Sequence, residues 1–425
     1  MKKVKISFKK LTAKHLIFIQ IVYNCFIKWL IGELGLPSTL NYVTDVITAA
    51  LFVEIIFYEI KQTSKVRRTS IFYIIVIFFV YTLINWLMHL YSPIYYVWGL
   101  RNTFRFYVFF VACTMFLEKE DIPKIFNILY VVFIANIFMT SYQYFVLDKK
   151  RDYVAGFFAG SEIQGGNGPM VVLMCLVCII TMVEYIEKHN NFLKPAIAIV
   201  GALYISTIAE LKAMYIMIIG VVILSSLFTR FSVKKLFIAI AFVSILPVAM
   251  GILYELYPDF EDFFNWESVV EYATGDSGYT GTDDINRFSA IQYCFDNFLE
   301  TPTERIFGMG LGAADGSTNF KSVTTDFYEK NVDTHYSWFT VPMILLENGM
   351  IGLILFWSIF CIAFRDATRK RRRTRGTDRV IIIVAQLAPI FMIFFAFYNQ
   401  TIRTEIIGYT CYALVSIPYI IYKEK

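Results

Sequence analysis

Apolar runs of about twenty residues, separated by short polar stretches, recur along almost the whole chain and constrain what it can fold into. A run of that length crosses the ~30 Å hydrocarbon core of a bilayer as a helix, and in lipid only helices and closed barrels satisfy their own backbone. Spans are expected near 15–31, 39–60, 70–90, 99–117, 125–147 and 169–186. Six more are expected near 194–209, 213–229, 236–256, 338–364, 380–398 and 406–422. The expected fold is an all-α polytopic membrane protein with about twelve transmembrane helices. Composition agrees, with 57% of residues hydrophobic and 17% charged, where a soluble domain carries roughly 25% charged. Disordered, collagen-like, coiled-coil and small disulfide-stapled chains are excluded on the same figures.

The net charge of +5 has meaning once sorted by side. With a cytoplasmic N-terminus, most Lys and Arg fall in inner segments, the bias that sets orientation, so both termini are expected inside. The run Arg369-Lys370-Arg371-Arg372-Arg373 is the strongest anchor, and it suits anionic lipid rather than nucleic acid. Lys2, Lys3, Lys5, Lys9 and Lys10 precede the first apolar run, as in a signal peptide. No small-residue cleavage site follows and Lys28 interrupts the run, so an uncleaved span is expected. Cys175 and Cys178 form a CxxC inside an apolar run, where packing is the better reading. Cys294 stands alone in the longest loop and closes no disulfide within it.

That loop divides the chain into helices 1–9 over 1–256, an external segment over 257–337, and helices 10–12 over 338–425. It is rich in Asp and Glu. Phe288, Ile291, Phe295, Phe298 and Leu299 recur at helical spacing, and Thr301-Pro302 ends the run, so an amphipathic helix facing the membrane is expected. Arg287 at its head is open to two readings, a salt bridge to Asp283 or Asp284, or a ligand contact. Gly308-Met309-Gly310-Leu311-Gly312 is flanked by no strand–helix unit, so it reads as a tight turn where backbone approaches backbone or a phosphate. Four histidines occur, at His15, His89, His189 and His335. Only His335 is clearly on the outer face, and an imidazole there suits activation of a hydroxyl.

A charge at the centre of a membrane helix costs roughly 2.5–3.5 kcal/mol on insertion scales, so each needs a reason. Arg101 and Arg105 share a helix face one turn apart. Glu210 and Lys212 sit at the tip between two spans of only about 25 Å, so that tip is expected to be recessed in a protein-lined cavity, a pointer to a binding site. The alternative is a Glu210–Lys212 pair shielding itself. Glu347, Asn348, Arg403 and Glu405 must also face protein. Arg101, Arg105, Lys212, Arg287 and Arg403 together suggest a cationic, half-buried outer site for a lipid diphosphate, with its tail in the bilayer.

The ordered set Arg287-Phe288, Pro302, Gly308 to Gly312, His335-Tyr336-Ser337-Trp338 and Leu346-Glu347-Asn348-Gly349-Met350-Ile351-Gly352-Leu353 resembles the signature of the O-antigen ligase and polymerase superfamily. Weaker matches are Gly165-Gly166-Asn167-Gly168 and Ser206 to Lys212, with Lys212 where the family usually has Arg. Lys keeps the charge but lacks the bidentate fork. The resemblance implies a GT-C-like membrane glycosyltransferase of the bacterial cytoplasmic membrane, active on the outer side with polyprenyl-diphosphate-linked oligosaccharides, without nucleotide sugar, cofactor or required metal. It gives Lys212 and Arg287 the donor diphosphate, and His335 the acceptor hydroxyl. Asn167, Tyr336 and Glu347 become candidate substrate contacts, while Arg101, Arg105 and Arg403 join the diphosphate set on charge cost. A polymerase of lipid-linked repeat units (capsule, exopolysaccharide or O-antigen) is favoured over a ligase moving a finished glycan to another acceptor. A chain-length regulator and a flippase of the same pathway are the expected partners. The rival from another class is a lipid-linked-sugar flippase or transporter, against which stands the lack of a six-plus-six internal repeat.

Overall fold

The structure, a computed structural model, describes residues 12–61, 69–160, 166–188, 192–230, 232–258, 270 and 285–421. The N-terminal lysines, Gly165, His189, Asp283 and Asp284 singled out above lie outside the described residues. Every expected span is a helix, with ends shifted by a few residues. The helices are α1 (Ala13–Leu34), α2 (Val43–Ile60), α3 (Ser70–His89), α4 (Pro93–Phe116), α5 (Ile122–Phe145) and α6 (Asn167–Glu187). They continue as α7 (Leu193–Ile208), α8 (Lys212–Phe228) and α9 (Val233–Leu256). Three short helices follow in the long loop, α10 (Ala290–Asn297), α11 (Pro302–Phe307) and α12 (Asp326–Asn331). Last come α13 (Thr340–Arg371), α14 (Thr377–Tyr398) and α15 (Glu405–Ile421). No strand occurs among the described residues.

Six of the helical segments are long and apolar enough to cross a membrane, and α7, α8, α15 and part of α9 are shorter apolar helices. Burial sorts them. In α6, 89% of the most apolar window is buried, against 28% in α3, so α6 is central and α3 peripheral. α14 packs on α13, α15 and α6, while α4 packs on α15 and α2. The outward residues of α2 and α3, among them Phe52, Val53, Phe57, Ile77, Phe79 and Leu87, are large and apolar. Water would make such a surface an aggregation site, whereas lipid makes it neutral.

Two local features shape the end of the bundle that carries the long loop. α13 is kinked at Gly349, whose φ of 60° and ψ of −167° break the helix. A kink strands backbone carbonyls, which in lipid must find donors. Here the Met309 amide donates to the Leu346 carbonyl at 2.8 Å and the Gly310 amide to the Glu347 carbonyl at 2.9 Å. The Tyr81 hydroxyl donates to the Asn348 carbonyl at 2.7 Å. The glycine-rich turn is thus a tight backbone-on-backbone clamp for the kink. Gly310 and Gly312 hold φ of 109° and 84°, and a Cβ would strike the Tyr91 ring at the first and the Tyr95 carbonyl at the second.

The amphipathic run is shorter than its periodicity suggests. α10 ends at Asn297, and Thr301-Pro302 opens a second helix instead of closing the first. The Thr301 hydroxyl accepts from the Glu304 amide while the Glu304 carboxylate accepts from the Thr301 amide. That capping box satisfies two otherwise orphaned donors.

Candidate functional site

Arg101 and Arg105 point from α4 into the bundle, where a guanidinium is stable only beside acids. α2 supplies Asp45 and α15 supplies Glu405. Arg101 lies 2.6 Å from Asp45 and 3.4 Å from Glu405. Arg105, its side chain only 6% exposed, lies 3.7 Å from Asp45 and donates a short hydrogen bond to Glu405. Arg101 also lies 4.7 Å over the Trp98 ring. The charge of these two arginines is matched inside the protein, and the cluster joins three helices.

Arg403 sits on the turn between α14 and α15, 3.6 Å from Glu347, which is fully buried. Arg403 therefore faces a carboxylate in the interior. Glu347 and Tyr336, read from the sequence as substrate contacts, are both enclosed by protein. Tyr336 is fully buried, its ring packs against Phe298, Phe327 and Tyr328, and its hydroxyl donates to the Ala314 carbonyl at 2.6 Å. Burial, followed by the negative field of Asp315, pushes its phenol well above the usual range, so it stays a donor. Burial does the same to Tyr91, which donates to the Leu311 carbonyl at 2.6 Å. Both tyrosines fasten the glycine turn.

Lys212 and Arg287 lie within electrostatic reach of each other. Lys212 opens α8 and lies in the electrostatic field of Glu210, Arg151, Arg287 and Asp152. Arg287 is 7% exposed. Its Nε donates to the Tyr398 carbonyl at 3.3 Å, and its guanidinium lies 4.9 Å over the Tyr398 ring. The end of α14 thus seats it from below, and the neighbouring Phe288 stacks on Phe397 at 5.9 Å. Glu210 pairs with Arg151, at 3.0 Å. Asn167 donates to Asp152 at 2.6 Å. Asp148 to Tyr153 border an open depression of about 630 Å³, and the Asn167–Asp152 hydrogen bond adjoins it.

His335 is joined to the same region through backbone. The Ile285 amide donates to the Thr334 carbonyl at 3.0 Å, tying the chain just before Arg287 to the residue before the imidazole. His335 is half-buried, with a φ of 58° and its ring 3.9 Å from that of Trp338. Left-handed backbone at a residue other than glycine costs about 1–3 kcal/mol and is characteristic of functional sites.

Two charged residues, Arg151 and Asp45, were not singled out from the sequence. Arg151 lies in the polar run Asp148-Lys149-Lys150-Arg151-Asp152, which reads as a solvated loop. Asp45 did have a signal, since an acid within an apolar span demands a partner. No family model and no curated protein matches the chain. Fold and composition define its class as an all-α, multi-pass membrane protein.

Proposed function

We propose that this protein is a glycosyltransferase of the bacterial cytoplasmic membrane that polymerises lipid-linked oligosaccharide repeat units for a capsule, exopolysaccharide or O-antigen. In this reading the bundle crosses the membrane about twelve times with both termini inside, in a GT-C-like arrangement, and the site faces outward. The donor is a polyprenyl-diphosphate glycan and the acceptor a sugar hydroxyl of a second lipid-linked glycan. The observation that supports it most is that Lys212, at the tip between α7 and α8, lies in the electrostatic field of Arg287 from the long loop, whose guanidinium is seated on Tyr398.

Two fixed cations at a half-buried site favour a ligand with more than one negative charge. A unit pair at 4 Å is worth about 4 kcal/mol at an effective dielectric of 20. A diphosphate is also a competent leaving group, so positioning and charge stabilisation supply most of what the transfer needs. Lys212 and Arg287 hold and neutralise the departing diphosphate. His335 orients the acceptor hydroxyl and takes its proton as the oxygen attacks the anomeric carbon.

The test is purified protein mixed with synthetic lipid-diphosphate oligosaccharide, with products resolved on a gel. A ladder is the expected result. A single transfer to another acceptor indicates a ligase instead, and the absence of any covalent product favours a flippase or transporter.

A further inference from the structure

One face of α4 receives the long loop. Tyr95, Gly99 and Asn102 recur at helical spacing, so they share that face. A Cβ on Gly99 would strike the Gly312 amide nitrogen, and one on Gly312 would strike the Tyr95 carbonyl. Backbone therefore lies on backbone there, and Tyr91, just before α4, adds a hydrogen bond to the Leu311 carbonyl at 2.6 Å. Contact of that kind brings the two chains close but reads no side chain of the loop. The polar side chain on the same face is Asn102, and its Nδ2 donates to Asp315 Oδ2 at 2.5 Å.

That amide can point only one way. Its Oδ1 accepts from Arg101 Nη1 at 2.7 Å. A guanidinium only donates and a carboxylate only accepts, so an amide between them must turn its oxygen to Arg101 and its amino group to Asp315. Arg101 in turn is anchored by Asp45 at 2.6 Å and by Glu405 at 3.4 Å. A chain of donors thus runs from the ion cluster inside the bundle to the loop, and each bond in such a chain polarises the next. The loop then passes this placement on. Ala314, beside Asp315, accepts at its carbonyl from the Tyr336 hydroxyl at 2.6 Å. Tyr336 is fully buried and directly follows His335.

We propose that Asn102 is a positioning residue: its oriented amide keys Asp315 onto α4, and through the Ala314–Tyr336 bond it sets where His335 stands. The cluster of Asp45, Arg101, Arg105 and Glu405 then has a second task besides joining helices, because it orients the key. The effect on reaction rate rests on the reading of His335 as the group that takes the acceptor proton, whereas the docking of the loop does not.

Cys294 reports the docking. It is fully buried, and Phe298, which follows α10, packs on the Tyr336 ring at 5.9 Å. Full-length protein in detergent micelles is treated with a maleimide, and labelling is read peptide by peptide by mass spectrometry. Cys361, which is exposed, calibrates the reagent in every variant. Asn102→Asp sets a carboxylate against Asp315 and should raise the Cys294 rate about tenfold or more, the range for a lost hydrogen bond to a charged group. Asn102→Ala should raise it by a similar factor. The exchange Asn102→Asp/Asp315→Asn keeps the net charge and lets the new carboxylate accept from both Arg101 and the new amide. It should return the rate to within about twofold of wild type, as coupled neighbours do. In the glycan-ladder assay Asn102→Asp should lower kcat with the KM for the donor little changed, and the exchange should restore it. Wild-type labelling in Asn102→Asp and Asn102→Ala, or an exchange variant as reactive as Asn102→Asp, overturns the key. A wild-type ladder rate in Asn102→Asp overturns the positioning of His335. Labelling in the expected order from a wild type that makes no ladder supports the key and overturns the glycosyltransferase reading alone. If size exclusion shows that Asn102→Asp fails to fold, Asn102→Ala and the exchange variant decide.

Discussion

Single residues at the candidate site differ in what their charge meets, and that difference sorts their expected phenotypes. Arg287 is seated on Tyr398 and Lys212 opens α8 in its field. Arg287→Ala and His335→Ala should abolish ladder formation while expression and membrane insertion stay near normal, as measured on gels and membrane blots. Lys212→Arg should keep activity because the charge is retained, and Lys212→Glu should lose it by placing an anion against the diphosphate. Gly310 belongs to the other kind of residue. Its φ of 109° and the Tyr91 ring against it leave no room for a side chain, so Gly310→Ala should destabilise by about 2 kcal/mol or more. Thermal unfolding in detergent reads that loss. A drop in activity without a drop in melting temperature would contradict the clamp.

At the scale of elements, polar side chains inside the bundle do the joining. Tyr81 and Asn85 on α3 both donate to the Phe307 carbonyl, at 3.0 Å and 2.7 Å, and Tyr81 also reaches the Asn348 carbonyl. α3 thereby holds the end of α11 against the kink of α13. Tyr81→Phe and Asn85→Ala should each cost about 1 kcal/mol, and because they share an acceptor, their effects in the double variant should not add. The Arg101–Arg105–Asp45–Glu405 cluster links α2, α4 and α15. Glu405→Gln leaves Arg105 buried without its nearest acid, a change that costs about 3–5 kcal/mol in comparable buried pairs. Its expected effect is a lower melting temperature with ligand affinity in the surviving folded fraction unchanged. Loss of diphosphate affinity at full stability would return those arginines to the ligand site.

For the whole molecule, the peripheral helices present apolar surface outward while α6 and α14 are enclosed, the arrangement a bilayer demands of a multi-pass bundle. Orientation is then testable from outside. Ser317→Cys, in the long loop, should react with a membrane-impermeant maleimide in intact cells. Arg372→Cys, in the basic run, should react only after permeabilisation. The reverse pattern would invert the topology and place the cationic site on the cytoplasmic face, away from any outer-leaflet substrate.

The sequence by itself determined the helices. Hydrophobic run length depends only on local composition and the thickness of lipid, so all twelve segments from 15–31 to 406–422 could be read directly, and each is helical. The glycine turn was also legible, because repeated glycine at alternate positions signals backbone forced close to something. What that something was, the kink at Gly349, depended on how α11 meets α13. The arginines show the limit most clearly. Membrane cost says that Arg101, Arg105 and Arg403 need partners, but not whether the partner is a ligand or a carboxylate. Asp45, Glu405 and Glu347 are far away in the chain and reach them only through packing. The same holds for Arg151, an ordinary loop residue until the fold carries it to Glu210. Charge pairing acts over a few ångströms whatever the separation along the chain, so only the tertiary structure decided which carboxylate each of these cations meets.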